Sequence, residues 1–156
     1  MTSAFVEGMS ASEAGTLVEI HGDAFRRAWS AHDFSSLLSD PAVFALGLRL
    51  RGFLGGTRTA GFVLVRFAAD EAEILTIAVG ARYRRRGYGR MLMDDVIRRL
   101  YREHIASLFL EVDRANAAAV GLYTALGFTV AGERRSYYSA PAAGDGAALV
   151  MRLQVR

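Results

Sequence analysis

Residues 72–100, AEILTIAVGARYRRRGYGRMLMDDVIRRL, contain the stretch that decides the fold. An apolar run over 72–79 leads into a loop rich in Arg and Gly, and apolar residues at helical spacing follow from Met91 onward. The pattern predicts a strand, a turn and a helix that continues from Arg90. This order is typical of a β-α-β unit, in which a helix covers one face of a sheet.

The chain before this stretch predicts two helices and two strands. Apolar residues at three-to-four spacing indicate a helix over roughly 12–28 and a shorter one over 33–38. Runs rich in β-branched and aromatic residues at 42–50 and 59–68 predict strands. Together with 72–79, these strands form most simply an antiparallel meander.

The chain after this stretch continues the alternation of strands and helices. We expect a buried strand at 106–112, a helix at about 116–126 that Gly127 stops, and two closing strands at 128–138 and 147–155. The predicted fold class is therefore α/β (α+β), with a mixed, mostly antiparallel sheet flanked by helices. No repeat or linker divides the chain, so residues 1–156 are expected to form a single domain.

Composition and charge narrow the classes of function. All 19 basic residues of this 156-residue chain are Arg, and Cys is absent, which excludes lysine Schiff bases, thiol nucleophiles and cysteine metal cages. Residues 82–102 hold eight Arg against two Asp and so carry +6, whereas the whole chain carries +3. A single basic segment on an otherwise acidic body suits a compact anionic ligand at least as well as a nucleic acid. We expect no metal.

The basic loop has the features of a phosphate site. Arg84, Arg85 and Arg86 precede Gly87-Tyr88-Gly89, and glycines allow the backbone to turn sharply and to approach a ligand closely. The first amides of a helix have no partner within the helix and favour an anion. The spacing lacks the third glycine of a dinucleotide-binding fingerprint and the GK[ST] of a Walker loop. We therefore expect this loop to bind a pyrophosphate, but neither as a dinucleotide-binding fingerprint nor as a Walker loop.

Two side chains that can carry a proton follow this loop. Glu111 lies near the end of the strand at 106–112, and Tyr123 lies midway along the next helix, with Asn116 between them at the helix start. A carboxylate can accept a proton, and a phenol can donate one to a leaving anion. Each residue also has an ordinary structural interpretation: a surface carboxylate, a core aromatic and a helix N-cap, respectively.

These residues together resemble the GNAT superfamily of acyl-CoA N-acyltransferases, and within it the RimI type, the ribosomal-protein alanine N-acetyltransferases. The loop matches the motif [QR]xxGx[GA] as Arg84, Gly87 and Gly89. Three further matches are LEVxxxNxxAxxLYxxxGF over 110–128, RRxYY over 134–138 and the N-terminal AFxxxWSxxxF over 24–34. The similarity therefore covers nearly the whole chain.

The resemblance implies a GNAT fold whose fourth and fifth strands splay apart around acetyl-CoA, the cosubstrate. It implies that Ile77, Ala78 and Val79 pair with the pantetheine arm through their backbone and that Asn116 contacts the cofactor. The other implied cofactor-binding residues are those of the loop: Arg84, Arg85, Arg86, Gly87, Tyr88, Gly89 and Arg90.

The resemblance also implies an activity and its residues. Glu111 would accept a proton from the attacking amine and Tyr123 would donate one to the leaving thiolate, while Arg135, Tyr137 and Tyr138 would bind the acceptor. The implied reaction is transfer of an acetyl group to the N-terminal α-amine of a protein, most simply the N-terminal alanine of a small-subunit ribosomal protein.

Two alternatives stay open from the sequence. The enzyme could acetylate a lysine side chain or a small-molecule amine, or the chain could be a non-catalytic acyl-CoA- or RNA-binding module. The loop contains only Tyr83 and Tyr88 as aromatic residues, so we expect no specific nucleic-acid partner. No apolar run approaches the roughly 20 residues of a membrane span, and no export signal is evident at the N-terminus, so we expect no membrane partner and a cytoplasmic protein.

Overall fold

The computed structural model describes residues 3–25, 29–134 and 147–156. The elements run in the order β1 (Ser3–Gly8), α1 (Ala14–Ala24), α2 (Ala31–Leu38), β2 (Val43–Arg51), β3 (Thr57–Ala68), β4 (Glu71–Val79), α3 (Tyr88–Arg102), β5 (Ser107–Asp113), α4 (Ala117–Ala125), β6 (Thr129–Arg134) and β7 (Ala148–Gln154). Short 3₁₀ turns precede α1 and α3. Each helix and strand predicted from the sequence is present, although the strand predicted at 128–138 lies within the described residues only as far as Arg134. Strand β1 is an additional strand that the sequence pattern did not indicate.

The strands form one sheet in the order β1-β2-β3-β4-β5-β7-β6. The pairs β1/β2, β2/β3, β5/β7 and β6/β7 are antiparallel, whereas β4 and β5 are parallel. The pairing of β4 with β5 joins Glu71–Glu73 to Ser107–Phe109. Both strands lie wholly within the described residues, and backbone pairing between them is limited to these three residues of each strand. The predicted mixed, mostly antiparallel sheet is confirmed.

These elements are distributed over two compact units. The first comprises Met1–Phe67 and Leu75–Arg99, and the second comprises Ala68–Ile74 and Leu100–Arg156. Both β4 and α3 contribute residues to each unit. The single domain expected over 1–156 stays a prediction. No helix among the described residues is long and apolar enough to cross a membrane.

The core of the first unit lies between α1, α2 and the sheet. Phe34 of α2 and Phe62 of β3 are fully buried, and their rings meet edge to face with centroids 5.7 Å apart. Leu17 and Ile20 of α1 join the same cluster. These are the positions that the three-to-four spacing of α1 turns toward the sheet, so the helical pattern and the core agree.

Strand β1 is held to this unit by a buried arginine. Arg49 of β2 is 7% exposed, and its guanidinium forms ion pairs with Glu7 of β1 at 3.0 Å and with Glu13 at 2.7 Å. It also donates a hydrogen bond to the hydroxyl of Thr59. A buried guanidinium needs several acceptors to offset its loss of hydration, and three elements supply them here.

His21 of α1 is a buried histidine surrounded by aromatic rings. Its ring lies 4.3 Å from that of Phe25 and 4.9 Å from that of Trp29, measured between centroids. The backbone N–H of Trp29 donates to His21 Nδ1 at 3.3 Å, so this nitrogen acts as an acceptor. Burial lowers the pKa of the His21 imidazole below its usual value, because the charged form loses hydration.

We expect this histidine to make the stability of the protein depend on pH. Below about pH 6.5 the unfolded chain binds a proton at His21 that the folded chain does not, so the free energy of unfolding falls as the pH is lowered from there toward the folded pKa. His21→Gln should reduce the difference in the free energy of unfolding between roughly pH 7.5 and 5.5, as measured by chemical unfolding. The exposed His32→Gln should leave the wild-type dependence in place, and an unchanged slope in His21→Gln would refute the assignment.

The second unit is built on the antiparallel pairs β5/β7 and β7/β6. Leu108 of β5 and Met151 of β7 are fully buried or nearly so, and Phe128, just before β6, is 2% exposed. Helix α4 contributes Tyr123, whose ring meets that of Phe128 edge to face. The alternation of buried and outward positions along β5 leaves Glu111 facing outward between the buried Leu110 and Val112.

Candidate active site

The basic loop of the first unit has an unusual backbone. Arg85 and Gly87 both lie in the left-handed region, with φ of 63° and 80°. Helix α3 begins at Tyr88, directly after Gly87, whose carbonyl accepts from the N–H of Met91 at 3.1 Å. The sequence predicted that the helix continues from Arg90. The structure places the start of the helix two residues earlier, at Tyr88, because Gly89 is accommodated within the first helical turn.

This geometry is suited to binding an anion. Left-handed residues in a turn bring successive backbone N–H groups to one side, and the start of a helix adds amides without partners in the helix. A non-glycine residue in this region costs roughly 1–2 kcal/mol, and Ala69 and His104 adopt it as well, with φ of 58° and 61°. The side chains of Arg85 and Arg86 are exposed and add positive charge around these amides.

Arg84 is directed toward the protein's own backbone. Its Nε donates to the carbonyl oxygen of Val79 at 3.2 Å, and its Nη2 donates to the carbonyl oxygen of Asp23 at 3.1 Å. The first position of the loop motif thus ties the loop to the end of β4 and to the end of α1. A contact between Arg84 and the cofactor stays a prediction. Because the Arg84 side chain is engaged in these two hydrogen bonds, its main chain would make that contact.

The end of β4 lies close against β3. A Cβ on Gly61 of β3 would come within 2.8 Å of the carbonyl oxygen of Ala78, so only glycine fits there without a shift of backbone. The N–H of Gly80 donates to the carbonyl of Ala60 at 2.7 Å. Ala78 is buried, and Ile77 and Val79 are partly buried. The three residues expected to meet the pantetheine arm are therefore firmly positioned.

The backbone at Gly87 can be tested with a matched pair of variants. A Cβ on Gly87 would meet nothing within 4 Å, so Gly87→Ala perturbs only a left-handed conformation. That strain of roughly 1–2 kcal/mol should raise KM for acetyl-CoA about tenfold, with kcat changed by less than about twofold. Gly121→Ala in α4 also meets nothing within 4 Å and should leave both constants unchanged. Equal KM values in the two variants would contradict a role for the loop conformation.

The second unit places Glu111 in an ion pair. One oxygen of its carboxylate lies 2.5 Å from Nη1 of Arg134 on β6, and the Glu111 side chain is 29% exposed. Glu111 is opposite Val150 and Arg134 is opposite Ala148 on β7, so the arginine reaches across the intervening strand. Sequence reasoning placed Arg134 in a motif but did not find this contact, since it depends on the register of three strands.

Tyr123 and Asn116 are positioned by α4. Tyr123 is 6% exposed and packs against Phe128. Asn116 is the N-cap of the helix, and its Oδ1 accepts from the N–H of Ala119 at 3.1 Å. The same side chain carries an amide NH₂ donor, so capping and a cofactor contact are compatible. A buried phenol and a capped helix give these groups fixed positions.

The predicted acceptor-binding residues Arg135, Tyr137 and Tyr138 lie outside the described residues. The sequence departs from the family pattern at Asp113 and Arg114. Arg114 pairs with Glu133 at 3.1 Å, and a carboxylate oxygen of Asp113 accepts from the N–H of Ala115 at 2.9 Å. Over the described ranges, no group of three or more His, Cys, Asp or Glu side chains could hold a metal ion.

Comparisons with known proteins agree with these features. A model of the Acetyltransferase (GNAT) family matches residues 15–128. The [ribosomal protein bS18]-alanine N-acetyltransferase of Salmonella typhimurium is 42% identical over 98 residues, which are 63% of this chain and 66% of that protein. The match therefore spans just under two thirds of that relative. A protein of the same name from Haemophilus influenzae is 30% identical over 146 residues, which are 94% of this chain and 95% of that protein.

Solved structures give the same result for the fold. The crystal structure of the ribosomal-protein-S18-alanine N-acetyltransferase from Escherichia coli has a TM-score of 0.88 and 31% identity, covering 98% of this chain and 94% of that one. Ard1 from Thermoplasma volcanium has the same fold at 22% identity, with a TM-score of 0.84 over 98% of both chains. The loop at the start of α3, the motif residues on β5 and α4, and these matches together show that the chain belongs to the acetyltransferase (GNAT) family.

Proposed function

We propose that this chain transfers the acetyl group of acetyl-CoA to the N-terminal α-amine of a protein, specifically the N-terminal alanine of a small-subunit ribosomal protein. The observation that carries the proposal is the left-handed loop at the start of α3, which presents backbone amides and arginines to an anion. The choice of acceptor rests on the names of the relatives from Salmonella typhimurium and Haemophilus influenzae.

The first unit would hold the cofactor. The amides of Arg85 to Arg90 would bind the pyrophosphate, because they combine helix-start donors with a positive helix dipole. The backbone of Ile77, Ala78 and Val79 would pair with the pantetheine arm, as the family resemblance implies. Asn116 of α4 would add a contact through its amide group.

Glu111 would make the acceptor amine reactive. A free α-amine has a pKa of about 7.7–8.0, so much of it is protonated at neutral pH and cannot attack a thioester. The Glu111 carboxylate would accept that proton, directly or through a water molecule. Arg134 holds one carboxylate oxygen at 2.5 Å and thereby orients the group.

The proposed reaction is a direct transfer of the acetyl group from acetyl-CoA to the amine. Acetyl-CoA supplies the acetyl group as a thioester. The neutral amine forms a bond to the acetyl carbon, and the N–H of Val79 would stabilise the negative charge that develops on the oxygen. The carbon–sulfur bond breaks, and Tyr123 would donate its proton to the thiolate. The second proton of the attacking amine leaves the nitrogen as the amide forms and would return to Tyr123, directly or through a water molecule. The chain contains no Cys, so a covalent acyl-thioenzyme cannot form, and direct transfer with both substrates bound together is the proposed mechanism.

We extend the proposal to the rest of the chain. Arg135, Tyr137 and Tyr138 would bind the acceptor peptide, and the two units would act as one acetyltransferase domain, because a single family model spans residues of both. We place the enzyme in the cytoplasm, where acetyl-CoA and newly made ribosomal proteins are present, and expect neither a metal nor a membrane partner.

The proposal is tested with purified protein, acetyl-CoA and three acceptors. These are a peptide with a free N-terminal alanine, the same peptide with its N-terminus blocked and an added lysine, and a small polyamine. Mass spectrometry should find acetylation of the first peptide at its α-amine and little of the others. Acetylation of the polyamine or of lysine, with the alanine peptide unmodified, would reject the proposed acceptor while leaving the enzyme class in place.

A further inference from the structure

A cavity of about 570 Å³ opens in the first unit beside the turn that joins β2 and β3. We call it the hairpin cavity. It is lined by Leu50, Gly52, Phe53, Leu54, Gly56, Thr57, Arg58, Arg82, Tyr83, Arg86 and Tyr88. Its volume lies within the range of roughly 300–1,000 Å³ that is common for ligand sites. The turn and the basic loop, distant in the sequence, therefore meet at one surface.

The hairpin cavity is strongly and uniformly positive. Three arginines line it, Arg58, Arg82 and Arg86, and none of its lining residues is acidic. Within the described parts of the chain, none of these three guanidiniums takes part in an ion pair. Unpaired guanidiniums that converge on a concave surface attract an anion with more than one charge.

Aromatic residues line the same cavity as these arginines. Phe53 at the tip of the turn is 86% exposed, and Tyr83 and Tyr88 line the other side of the cavity. The guanidinium of Arg82 lies 5.5 Å from the centre of the Tyr83 ring. The turn is closed by a backbone hydrogen bond, in which the N–H of Gly52 donates to the carbonyl of Gly56 at 2.8 Å. An exposed aromatic ring at the edge of a cavity that arginines also line is a surface on which a planar base can stack.

We propose that the hairpin cavity binds a segment of single-stranded RNA without sequence preference. Phosphates would contact Arg58 and Arg82, and bases would stack on Phe53 and Tyr83. An acidic peptide would satisfy the arginines but would not use the flat faces of the rings, so the observations favour RNA. This inference goes beyond the proposed function, because it does not depend on which amine is acetylated.

The sequence alone did not indicate such a surface. Within the loop only Tyr83 and Tyr88 are aromatic, which led to the expectation of no specific nucleic-acid partner. The structure adds Phe53 and Arg58 from the turn between β2 and β3. Binding to phosphates and base faces carries no sequence information, so the proposal concerns RNA as a class and no particular sequence.

The test uses the full chain and a fluorescein-labelled oligouridylate of about twelve nucleotides, with binding measured by fluorescence anisotropy. If two arginines each neutralise one phosphate, the affinity should fall about sevenfold between roughly 50 and 200 mM salt. Phe53→Ala should weaken binding about tenfold through loss of one stacked base. Arg58→Gln should reduce the loss of affinity over the same salt range to about threefold.

Controls separate this site from the cofactor site and from general basicity. Arg102→Gln removes an exposed arginine outside the hairpin cavity and should change the affinity for RNA by less than about twofold. Phe53→Ala and Arg58→Gln should retain wild-type kcat and KM in peptide acetylation. Failure of the acetylation assay would not affect the RNA measurement, so the two proposals can fail separately.

Three results would overturn the inference. Equal RNA affinity of wild type, Phe53→Ala and Arg58→Gln would show that RNA binds elsewhere or not at all. Displacement of RNA by a hexaglutamate peptide at similar concentration would identify an acidic peptide as the occupant. Complete displacement of RNA by acetyl-CoA, together with a raised KM for acetyl-CoA in Phe53→Ala, would assign the cavity to the cofactor.

Discussion

Glu111→Gln should lower kcat for peptide acetylation by about 10²-fold or more, while KM for acetyl-CoA changes by less than about twofold. The variant keeps an oxygen that can accept from Arg134 and nearly the same volume, so the contact between β5 and β6 is retained. What it loses is the ability to take a proton from the amine. Steady-state kinetics with an alanine peptide measures this effect.

The chain offers a matched control for this variant. Glu133 is also paired with an arginine, Arg114, and its side chain is 35% exposed, close to the 29% of Glu111. Glu133→Gln should therefore leave kcat near wild type. If Glu111→Gln retains full activity, or if both variants lose activity equally, proton acceptance by Glu111 is wrong. Raising the pH should partly restore Glu111→Gln, because more of the amine is then neutral.

Tyr123→Phe should lower kcat by roughly 10-fold to 10²-fold and leave KM for acetyl-CoA unchanged. The expected loss is smaller than for Glu111, because a thiolate is a fair leaving group even without a proton donor. The ring packs on Phe128 at 5.7 Å between centroids, and phenylalanine keeps that contact. Kinetics with the alanine peptide, together with thermal unfolding, distinguishes a chemical effect from a loss of packing.

Tyr101→Phe is the control for removal of a phenolic hydroxyl. Tyr101 lies near the end of α3, is 50% exposed and contacts Arg156 through its ring. It should retain wild-type kcat. Should Tyr123→Phe behave like Tyr101→Phe, another group protonates the thiolate and the proposed donor must be abandoned. The assignment is supported if only Tyr123→Phe has a reduced kcat and its KM for acetyl-CoA stays at the wild-type value.

Elements with strong periodicity were predictable from the sequence, because the periodicity itself reflects which face is buried. The apolar spacing in α1 and the compact apolar runs of β2 to β5 gave boundaries within a few residues of those observed. Strand β1 was missed, since it is short, pairs with β2 alone and depends on the contact between Glu7 and Arg49. A long-range ion pair leaves no periodic signal in a sequence.

Side-chain direction at the ends of helices was harder to predict. The helical spacing of the apolar residues from Met91 onward would place Tyr101 on the inward face of α3, but the buried residues of this helix are Leu92, Met93, Val96 and Leu100. A tyrosine can place its ring against a surface arginine and keep its hydroxyl in water, and Arg156 supplies that contact here. The hydrophobic pattern alone does not distinguish the two positions.

Some features of the candidate site could likewise be predicted from the sequence, and others could not. The anion-binding loop could be predicted because it depends on local features: two glycines, a cluster of arginines and a junction between strand and helix. The pair Glu111–Arg134 depends on strand register, and the lining of one cavity by both Phe53 and Arg82 depends on the position of a turn; no local pattern encodes either. Local chemistry was therefore visible in the sequence, and the groups that orient or extend it were visible only in the structure.

The most direct measurement is mass spectrometry of ribosomal-protein N-termini in cells with and without this gene. We expect one small-subunit protein with an N-terminal alanine to be acetylated in the parent cells, unmodified in the deletion strain, and acetylated again when the wild-type gene is returned. The Glu111→Gln gene should fail to restore the modification. Identical N-terminal acetylation of all ribosomal proteins in the two strains would contradict the proposal that this enzyme acetylates a ribosomal protein.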